Sequence, residues 1–365
     1  MAEQKEWKNG KPGKSECQKL KSLLVIQYIL KHADADHPVT IGDIQDHLGK
    51  YGIEAERRSI YRDIHDLLEL LNAELDEDTT IPEHDRLKYE ITHTRKAYPN
   101  AEHGGYLVTS RPYTFAELQL LTECVNSARF ISDNQARNLR RTISGLCSVH
   151  QAKQLNSESR VVNRSKTINT AVMKSIRTIT DAISHGRQIS FKYLSYSFDN
   201  LHTQVERRAG KPYIVNPFYM LIDNGYYYLM TYNGKRVWNY RIDRMREVKE
   251  LETPREYEKA FKENVDITNY TQRVFSMFGG QREKVTIRFI DQKLDTVADQ
   301  FGTRGVKYEK VDEKHFTVTT EVELSDMFYA WVFGFGRRAK ILEPPYVAEK
   351  MREYCQKIAQ MYEPE

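Results

Sequence analysis

The chain of 365 residues lacks the features that mark a secreted, disulfide-bonded or membrane protein. It has four cysteines, and they lie far apart without a Cys-x-x-Cys pair, so neither a disulfide framework nor a zinc site has the spacing it requires. No apolar run approaches the roughly 20 residues that span a bilayer, and the first residues lack the apolar core of a secretory signal. We therefore expect a cytoplasmic protein with reduced thiols and no membrane partner.

Catalytic and cofactor motifs are equally scarce. The sequence contains no Walker loop, no nucleophile elbow and no His-Glu-x-x-His, and its 11 histidines are scattered rather than paired at ligand spacing. A hydrolase would have to assemble its site entirely from distant residues. The sequence therefore predicts a protein that is not an enzyme and that uses neither a cofactor nor a metal.

Charge and length set broad limits on what is present. A net charge of +4, with 40% hydrophobic and 29% charged residues, permits nucleic-acid binding without indicating it. The length predicts roughly two to four domains, each with its own core. Residues 1–16 are rich in Lys and Gly without periodicity and predict a disordered basic arm, which is either solvated or in contact with phosphates.

Three helices and a hairpin are predicted after this arm. Apolar residues recur at helical spacing from Leu20, and a second helix begins at Thr40, which has the spacing of a capping box with Asp43. A third helix, with Ile60 and Ile64 in its buried stripe, runs from about Glu56 to Leu71. Two strands then follow, at residues 87–94 and 104–110, and a polar, basic segment connects them. The segment 17–112 therefore predicts a winged helix-turn-helix domain.

A helical linker is predicted next, over residues 113–165. It begins with Thr114 and Glu117, which have the spacing of a capping box, and its hydrophobic residues recur at helical intervals. We expect this linker to transmit any change between the domains on either side.

Residues 166–258 change to the pattern of a β domain. After a helix near 168–185, apolar and polar residues alternate along several strands, among them KPYIVNPFYMLI, YYYLMTY and RVWNYRIDRM. Asn224-Gly225 and Asn233-Gly234 suit tight hairpin turns. The pattern predicts an antiparallel meander that closes into a small barrel. In this prediction, Arg241 and Arg244 share one strand.

The C-terminal segment 275–365 has both kinds of periodicity. Its patterns run strand, helix, strand, strand, helix, strand and helix, which is typical of a compact α+β module. The chain as a whole is therefore predicted to be a multidomain α+β protein.

Two sequence segments resemble the transcriptional regulators that contain a WYL domain. The segment AERRSIYRDIHDLLEL resembles the recognition helix of their winged-helix half, and Tyr227-Tyr228-Leu229 stands where that family has its Trp-Tyr-Leu signature. The resemblance covers most of the chain, since ISFKY, Asn216-Pro217-Phe218 and RIDRM match further family motifs in the same order. Three positions depart from the family pattern: Tyr227 replaces the signature Trp, Trp238 replaces a frequent Arg, and Glu56 replaces the usual Ser or Asp cap.

The resemblance implies a fold and a function. The WYL segment is expected to be a small SH3- or Sm-like β-barrel, followed by the C-terminal extension usual in the family. Members are cytoplasmic bacterial transcription factors that are often dimeric, and some bind single-stranded DNA or another nucleotide-like effector. For this chain we therefore expect double-stranded DNA, a nucleic-acid or nucleotide effector and a second copy of the chain as partners.

The candidate DNA-binding residues lie on the third helix and the wing. Arginine can bridge the O6 and N7 atoms of guanine, and hydroxyl groups can reach phosphates. The alternative is a solvated basic face. The candidates are Arg57, Arg58, Ser59, Tyr61, Arg62, Arg95 and Lys96.

The candidate effector-binding residues combine arginines with aromatic rings. A guanidinium pairs with phosphate through two hydrogen bonds, and an aromatic ring supplies a surface on which bases stack. The alternative for each tyrosine is packing in the barrel core, and Asp243 either orients the arginines or points into a neighbouring strand. The candidates are Tyr193, Tyr228, Arg241, Asp243, Arg244, Arg207, Arg337 and Arg338.

The sequence therefore predicts a transcriptional regulator that binds duplex DNA and senses a nucleotide-like effector. Two alternatives from other classes stay open. One is an accessory protein of nucleic-acid processing that uses the barrel to hold single strands, and the other is a scaffold whose aromatic barrel binds a protein partner.

Overall fold

The computed structural model describes residues 19–77, 86–95, 104–158, 165–198 and 203–363. The predicted arm 1–16 and the wing residue Lys96 lie outside these ranges. The chain forms two compact units. The first contains the described residues within Met1–Ala128 and Asp133–Ser165, and the second contains those within Arg129–Ser132 and Lys166–Glu365.

The first unit consists of three helices, a two-stranded hairpin and three further helices. In chain order they are α1 (Lys21–His32), α2 (Ile41–Gly49), α3 (Arg57–Glu77), β1 (Glu90–His93), β2 (Tyr106–Ser110), α4 (Phe115–Ser127), α5 (Asp133–Ser144) and α6 (Val149–Glu158).

Both predicted capping boxes form in this unit. The Thr40 hydroxyl accepts a hydrogen bond from the backbone N–H of Asp43 at 3.1 Å, and the Asp43 carboxylate accepts one from the backbone of Thr40 at 2.8 Å. Thr114 and Glu117 make the same reciprocal pair at the start of α4. Each pair satisfies two backbone donors that have no partner inside the helix, so the sequence fixes where α2 and α4 begin.

Helix α3 is longer than the sequence pattern indicated. It ends at Glu77 instead of near Leu71, because the residues 72–77 (NAELDE) include neither Gly nor Pro and can continue the helix after its apolar stripe ends. Ile60 and Ile64 are buried against α1 and α2, as predicted. Asn72 holds the extended helix to the hairpin, since its side chain exchanges hydrogen bonds of 2.9 Å with the backbone of Tyr89.

The hairpin is antiparallel and shorter than predicted. Its inner strand is anchored by Val39, which lies just before α2 and exchanges backbone hydrogen bonds of 2.9 and 2.8 Å with Tyr106. Tyr106 is buried in the same core as Val39. The hairpin is therefore fixed to the helices at its base.

The second unit begins with a helix on two small antiparallel sheets. Its first elements are α7 (Val172–Ser184), β3 (Arg187–Tyr196), β4 (Gln204–Glu206), β5 (Tyr213–Val215), β6 (Pro217–Asp223), β7 (Tyr226–Tyr232), β8 (Val237–Arg241) and β9 (Met245–Pro254). Strand β3 pairs with β4, β5 and β9, while β7 pairs with β6 and β8. The two sheets and α7 share a core that contains Ile179, Phe191 and Leu229.

Two strands predicted as continuous are interrupted. The segment KPYIVNPFYMLI breaks at Asn216, whose buried side chain accepts hydrogen bonds from Gln188 at 3.0 Å and from the backbone of Glu256 at 2.9 Å. Pro217, which has no N–H, begins the next strand. The prediction that Arg244 lies on the strand of Arg241 is wrong: β8 ends at Arg241, and Ile242–Arg244 form a 3₁₀ turn.

The Asn224-Gly225 turn forms as predicted. Both residues have positive φ, 48° and 77°, which is the geometry of the tight hairpin that joins β6 to β7. The turn also receives part of the predicted linker, since the backbone N–H of Arg129 donates to the Gly225 carbonyl at 2.8 Å. Residues 129–132 therefore belong to the second unit and interrupt the linker.

The C-terminal module has the predicted order of elements. They are β10 (Gln281–Ile290), α10 (Leu294–Phe301), β11 (Lys307–Lys310), β12 (His315–Leu324), α11 (Asp326–Phe333), β13 (Ala339–Glu343) and α12 (Pro345–Gln360). The strands form one antiparallel sheet in the order β11-β12-β10-β13. Two short helices that were not predicted from the sequence precede it, α8 (Glu258–Asn264) and α9 (Tyr270–Arg273).

The multidomain α+β fold class is thus confirmed. Within the part of the chain that the structure describes, no helix is both long enough and apolar enough to cross a membrane.

Candidate nucleic-acid and effector surfaces

The exposed face of α3 carries the predicted arginines. Arg57, Arg58 and Arg62 are exposed in the first turns of the helix, and Arg58 and Arg62 lie one turn apart, opposite the buried stripe. This arrangement places two guanidinium groups side by side, where each can reach a phosphate or a base edge of the same duplex.

Ser59 and Tyr61 have partners inside the first unit. Lys21 of α1 donates a hydrogen bond to the Ser59 hydroxyl and forms an ion pair of 2.8 Å with Asp63. Tyr61, which is 41% exposed, packs its ring 5.6 Å from that of Tyr106 in the hairpin. Ser59 therefore helps to fix α3 on α1, and Tyr61 joins α3 to the hairpin.

Arg95 is exposed at the end of the hairpin. Residues 94 and 104 of the two hairpin arms approach closely here, because a Cβ on Gly104 would lie 2.2 Å from the Thr94 carbonyl oxygen. The Thr94 N–H donates to the Gly105 carbonyl at 2.9 Å. Glycine at position 104 thus permits the close approach that holds Arg95 at the hairpin.

The structure divides the predicted effector residues into three groups. In the first, Arg241 donates from Nε and Nη2 to the carboxylate of Asp243 at 3.1 and 2.8 Å, and its guanidinium lies 3.4 Å from the ring centroid of Tyr226. Burial disfavours the charged form of Arg241, but the Asp243 carboxylate outweighs it and holds the pKa above its usual value. Asp243 therefore orients an arginine, which was one of the two alternatives for it.

Tyr193, Tyr228 and Arg244 surround this pair. Tyr193 is only 8% exposed, its hydroxyl accepts a hydrogen bond from the backbone N–H of Arg241 at 3.1 Å, and burial raises its pKa. Tyr228 is half-buried opposite Arg241 across β7 and β8, and burial raises its pKa as well. Arg244 is half-buried, and its Nε has no hydrogen-bond partner among the described residues.

The second group lines an aromatic cleft of about 420 Å³, called here the first cleft. Arg207 lies 5.7 Å from the ring centroid of Tyr193, and Arg208 lies 4.0 Å from that of Tyr213. The ring of Tyr240 packs edge-on against Tyr213 at 5.8 Å. The first cleft is lined by Tyr193, Arg207, Arg208, Tyr213, Ile214, Val215, Asn216, Thr231, Tyr232, Asn233, Trp238 and Tyr240.

An unusual backbone turn presents the two arginines of this cleft. Arg208 and Ala209 both adopt left-handed conformations, with φ of 56° and 50°, and Gly210 follows with φ of 79°. Such conformations are strained for residues with a Cβ and are maintained at functional sites by the surrounding structure. Arg208 belongs to the basic loop QVERRAGK that also contains the predicted Arg207, whereas Tyr213 and Tyr240 were not among the predicted site residues. The sequence signal that could have identified these tyrosines is the repeated pairing of aromatic and basic residues across neighbouring strands.

Arg337 and Arg338 lie elsewhere. Both are exposed in the 3₁₀ turn Gly336–Arg338 of the C-terminal module, and neither lines the first cleft. In the described parts of the chain, no group of three or more His, Cys, Asp or Glu residues is placed to hold a metal ion.

Comparisons with known proteins give two domain matches. The model of the WYL domain matches residues 174–250, and that of the WCX domain matches residues 281–359. The first covers α7 and the two small sheets, and the second covers the C-terminal module. No curated protein matches the chain significantly.

Two solved structures are similar over most of the chain but at low identity. The proteasome accessory factor B/C (PafBC) of Arthrobacter aurescens is 16% identical over 94% of this chain and 49% of its own, with a TM-score of 0.28. A CRISPR Cas-related protein is 11% identical over 95% of this chain and 85% of its own, with a TM-score of 0.32. This chain thus spans about half the length of PafBC.

Proposed function

Because this chain belongs to the WYL-domain regulator family, we propose that it is a cytoplasmic transcriptional regulator that binds duplex DNA and responds to a nucleotide-like effector. In this proposal α1–α3 and the hairpin are a winged helix-turn-helix, and the first cleft receives the effector. The protein acts by binding, as a homodimer, and not as an enzyme.

The proposed DNA contact rests on α3. Arg58 and Arg62 project from one exposed face, while the opposite face is held on α1 by Lys21 and by the buried Ile60 and Ile64. A helix fixed in this way can enter the major groove with its arginines aimed at base edges. Arg95, at the hairpin, would then contact the phosphate backbone or the minor groove.

The single observation that carries the effector proposal is the stacking of Arg208 on Tyr213 at 4.0 Å in an open cleft. Nucleotides combine an anionic phosphate with a flat base, and stacked arginine and tyrosine side chains offer a partner to each. Arg207 adds a second guanidinium over Tyr193. In this proposal Arg241 supports the fold beside the cleft, because Asp243 and Tyr226 already bind its guanidinium.

Selection from a library of random duplexes tests the DNA-binding half of the proposal. The wild-type protein should enrich a common sequence, and the double variant Arg58→Ala, Arg62→Ala should lose that enrichment while it keeps its melting temperature. Arg137→Ala, which removes an exposed arginine from α5, is the matched control and should retain the enrichment. Equal enrichment by the wild type and the double variant would contradict the assignment of α3.

The first cleft also supports a second candidate function, an accessory protein that holds single strands during nucleic-acid processing. The same Arg208–Tyr213 stack favours it, since single strands expose their bases for stacking. The two functions differ in one outcome: for a regulator, a ligand in the first cleft changes the affinity for duplex DNA, whereas for an accessory protein it does not.

A further inference from the structure

A second cleft, of about 460 Å³, lies beside the first in the same unit. It is bounded by the turn between β7 and β8, by α9 and by the start of β10. Tyr232 and Trp238 line both clefts, so the two are neighbours. The second cleft is lined by Tyr232, Lys235, Arg236, Val237, Trp238, Asn264, Val265, Asp266, Tyr270, Arg273, Gly279, Gly280, Gln281, Arg282 and Glu323.

One wall of the second cleft is an exposed indole. Trp238 remains 40% exposed although the guanidinium of Arg236 lies 3.8 Å from its ring centroid. An exposed tryptophan with a stacked arginine is a surface on which a flat, electron-rich ring can stack.

The second cleft also contains a carboxylate that the backbone holds in place. Glu323 Oε2 accepts a hydrogen bond from the backbone N–H of Gly280 at 2.8 Å, and no hydrogen bond to Oε1 occurs among the described residues. A Cβ on Gly280 would lie 1.9 Å from the Leu324 carbonyl oxygen, so only glycine allows the chain to approach this closely. Burial raises the pKa of Glu323, although the Gly280 hydrogen bond, Arg273 and Arg282 oppose the shift.

Positive charge surrounds this carboxylate. Arg273 is only 6% exposed and donates to Asp266 at 2.7 Å, yet its Nε has no partner in the described structure. Lys235 and Arg282 are exposed at the rim, and Arg282 donates from Nε and Nη2 to the Glu321 carboxylate. Lys235 has no carboxylate partner among the described contacts. The cleft therefore offers a hydrogen-bond acceptor in its interior and cations at its edge.

We propose that the second cleft is a binding site for guanine nucleotides. Trp238 stacks on the base, the Glu323 carboxylate accepts hydrogen bonds from its ring N–H and its amino group, and Lys235 binds the phosphate. Guanine is the base that presents two adjacent donors to a single carboxylate, whereas adenine and cytosine present one amino group there. The proposal does not rest on effector binding in the first cleft, although Tyr232 and Trp238 line both clefts.

The test is calorimetric titration of the intact chain with GMP, AMP, CMP and inorganic phosphate. GMP should bind most tightly, and Glu323→Gln should weaken it by about tenfold or more, because an amide replaces one acceptor with a donor. The amide oxygen can still accept from Gly280, so the fold should survive, and thermal melting checks this. Glu309→Gln, an exposed acid of β11 outside the cleft, is the matched control and should leave GMP binding unchanged.

The pH profile adds a readout that a purely structural role would not change. GMP binds the ionised carboxylate, so affinity should fall as the pH falls through the raised pKa of Glu323, and Glu323→Gln should remove that dependence. Arg208→Ala, in the first cleft, should leave the preference for GMP intact, which separates this site from the proposed effector site.

Three results would overturn the proposal: no binding of GMP, equal binding of GMP and AMP, or unchanged GMP affinity in Glu323→Gln. Should Glu323→Gln fail to fold, Lys235→Ala takes its place. It should weaken GMP more than the uncharged nucleoside guanosine, and equal weakening of the two would count against the site.

Discussion

Arg241 and Asp243 form a closed, two-bond ion pair at the end of β8, with Nε and Nη2 of the guanidinium 3.1 and 2.8 Å from the two carboxylate oxygens. Asp243 is only 2% exposed. An arginine paired in this way and stacked on Tyr226 stabilises the domain and has little left with which to bind a ligand. The arginines of the first cleft, Arg207 and Arg208, have no such carboxylate pair among the described contacts and stack on tyrosines instead.

The Arg241–Asp243 pair predicts a large loss of stability when Asp243 is removed. Asp243→Ala leaves a guanidinium that is mostly buried without its counter-charge, and breaking a buried pair in this way costs about 3–5 kcal/mol. Urea unfolding measures the loss. Glu309→Ala, which removes an exposed pair with Lys307, should change the free energy of unfolding by less than about 1 kcal/mol. If the free energy of unfolding fell by a similar amount in both variants, the Asp243 pair would contribute no more to stability than an exposed ion pair.

Arg95 offers a test of the hairpin as a DNA contact. If it neutralises one phosphate, Arg95→Ala should weaken duplex binding for all sequences alike and should reduce the slope of log affinity against log salt by about 1. Binding assays at several salt concentrations give the slope. A changed sequence preference with an unchanged slope would instead indicate that Arg95 reads bases.

Substitution of Gly280 tests the close approach of the chain to Leu324, and Gly49, in the first unit, is the matched control. A Cβ at Gly280 would overlap the Leu324 carbonyl, and overpacking of this kind costs about 1–3 kcal/mol. A Cβ at Gly49, at the end of α2, would meet nothing within 4 Å, so Gly49→Ala should be neutral or stabilise the protein by up to about 1 kcal/mol. Thermal melting of the two variants compares them, and equal stabilities would contradict the contact at Gly280.

Local sequence signals predicted much of this fold. The Thr40–Asp43 and Thr114–Glu117 pairs fixed two helix starts, and the Asn224-Gly225 pair fixed a hairpin, because each depends on residues that are neighbours in the chain. The periodicity of residues 281–360 gave the order of the C-terminal elements for the same reason.

Features that depend on tertiary contacts could not be predicted from the sequence. The strand break at Asn216 exists because Gln188 and Glu256 bond its side chain from distant positions, and the turn at Ile242–Arg244 accompanies the pairing of Asp243 with Arg241. The candidate site could likewise be predicted only in part from the sequence. Composition indicated arginine and tyrosine together, but only the turn at Arg208 and Ala209 shows which arginines meet the open rings.

The role of the first cleft as an effector site is tested by comparing the affinity for a selected duplex with and without a short, random-sequence single-stranded oligonucleotide, in the wild type and in Arg208→Ala. A regulator whose first cleft senses a nucleotide-like effector should show a change in duplex affinity of about 5- to 150-fold, and Arg208→Ala should lose this change but keep the basal affinity. Arg246→Ala, an exposed arginine outside the first cleft, should behave as the wild type. If the oligonucleotide binds but the duplex affinity is the same with and without it, the first cleft does not sense an effector.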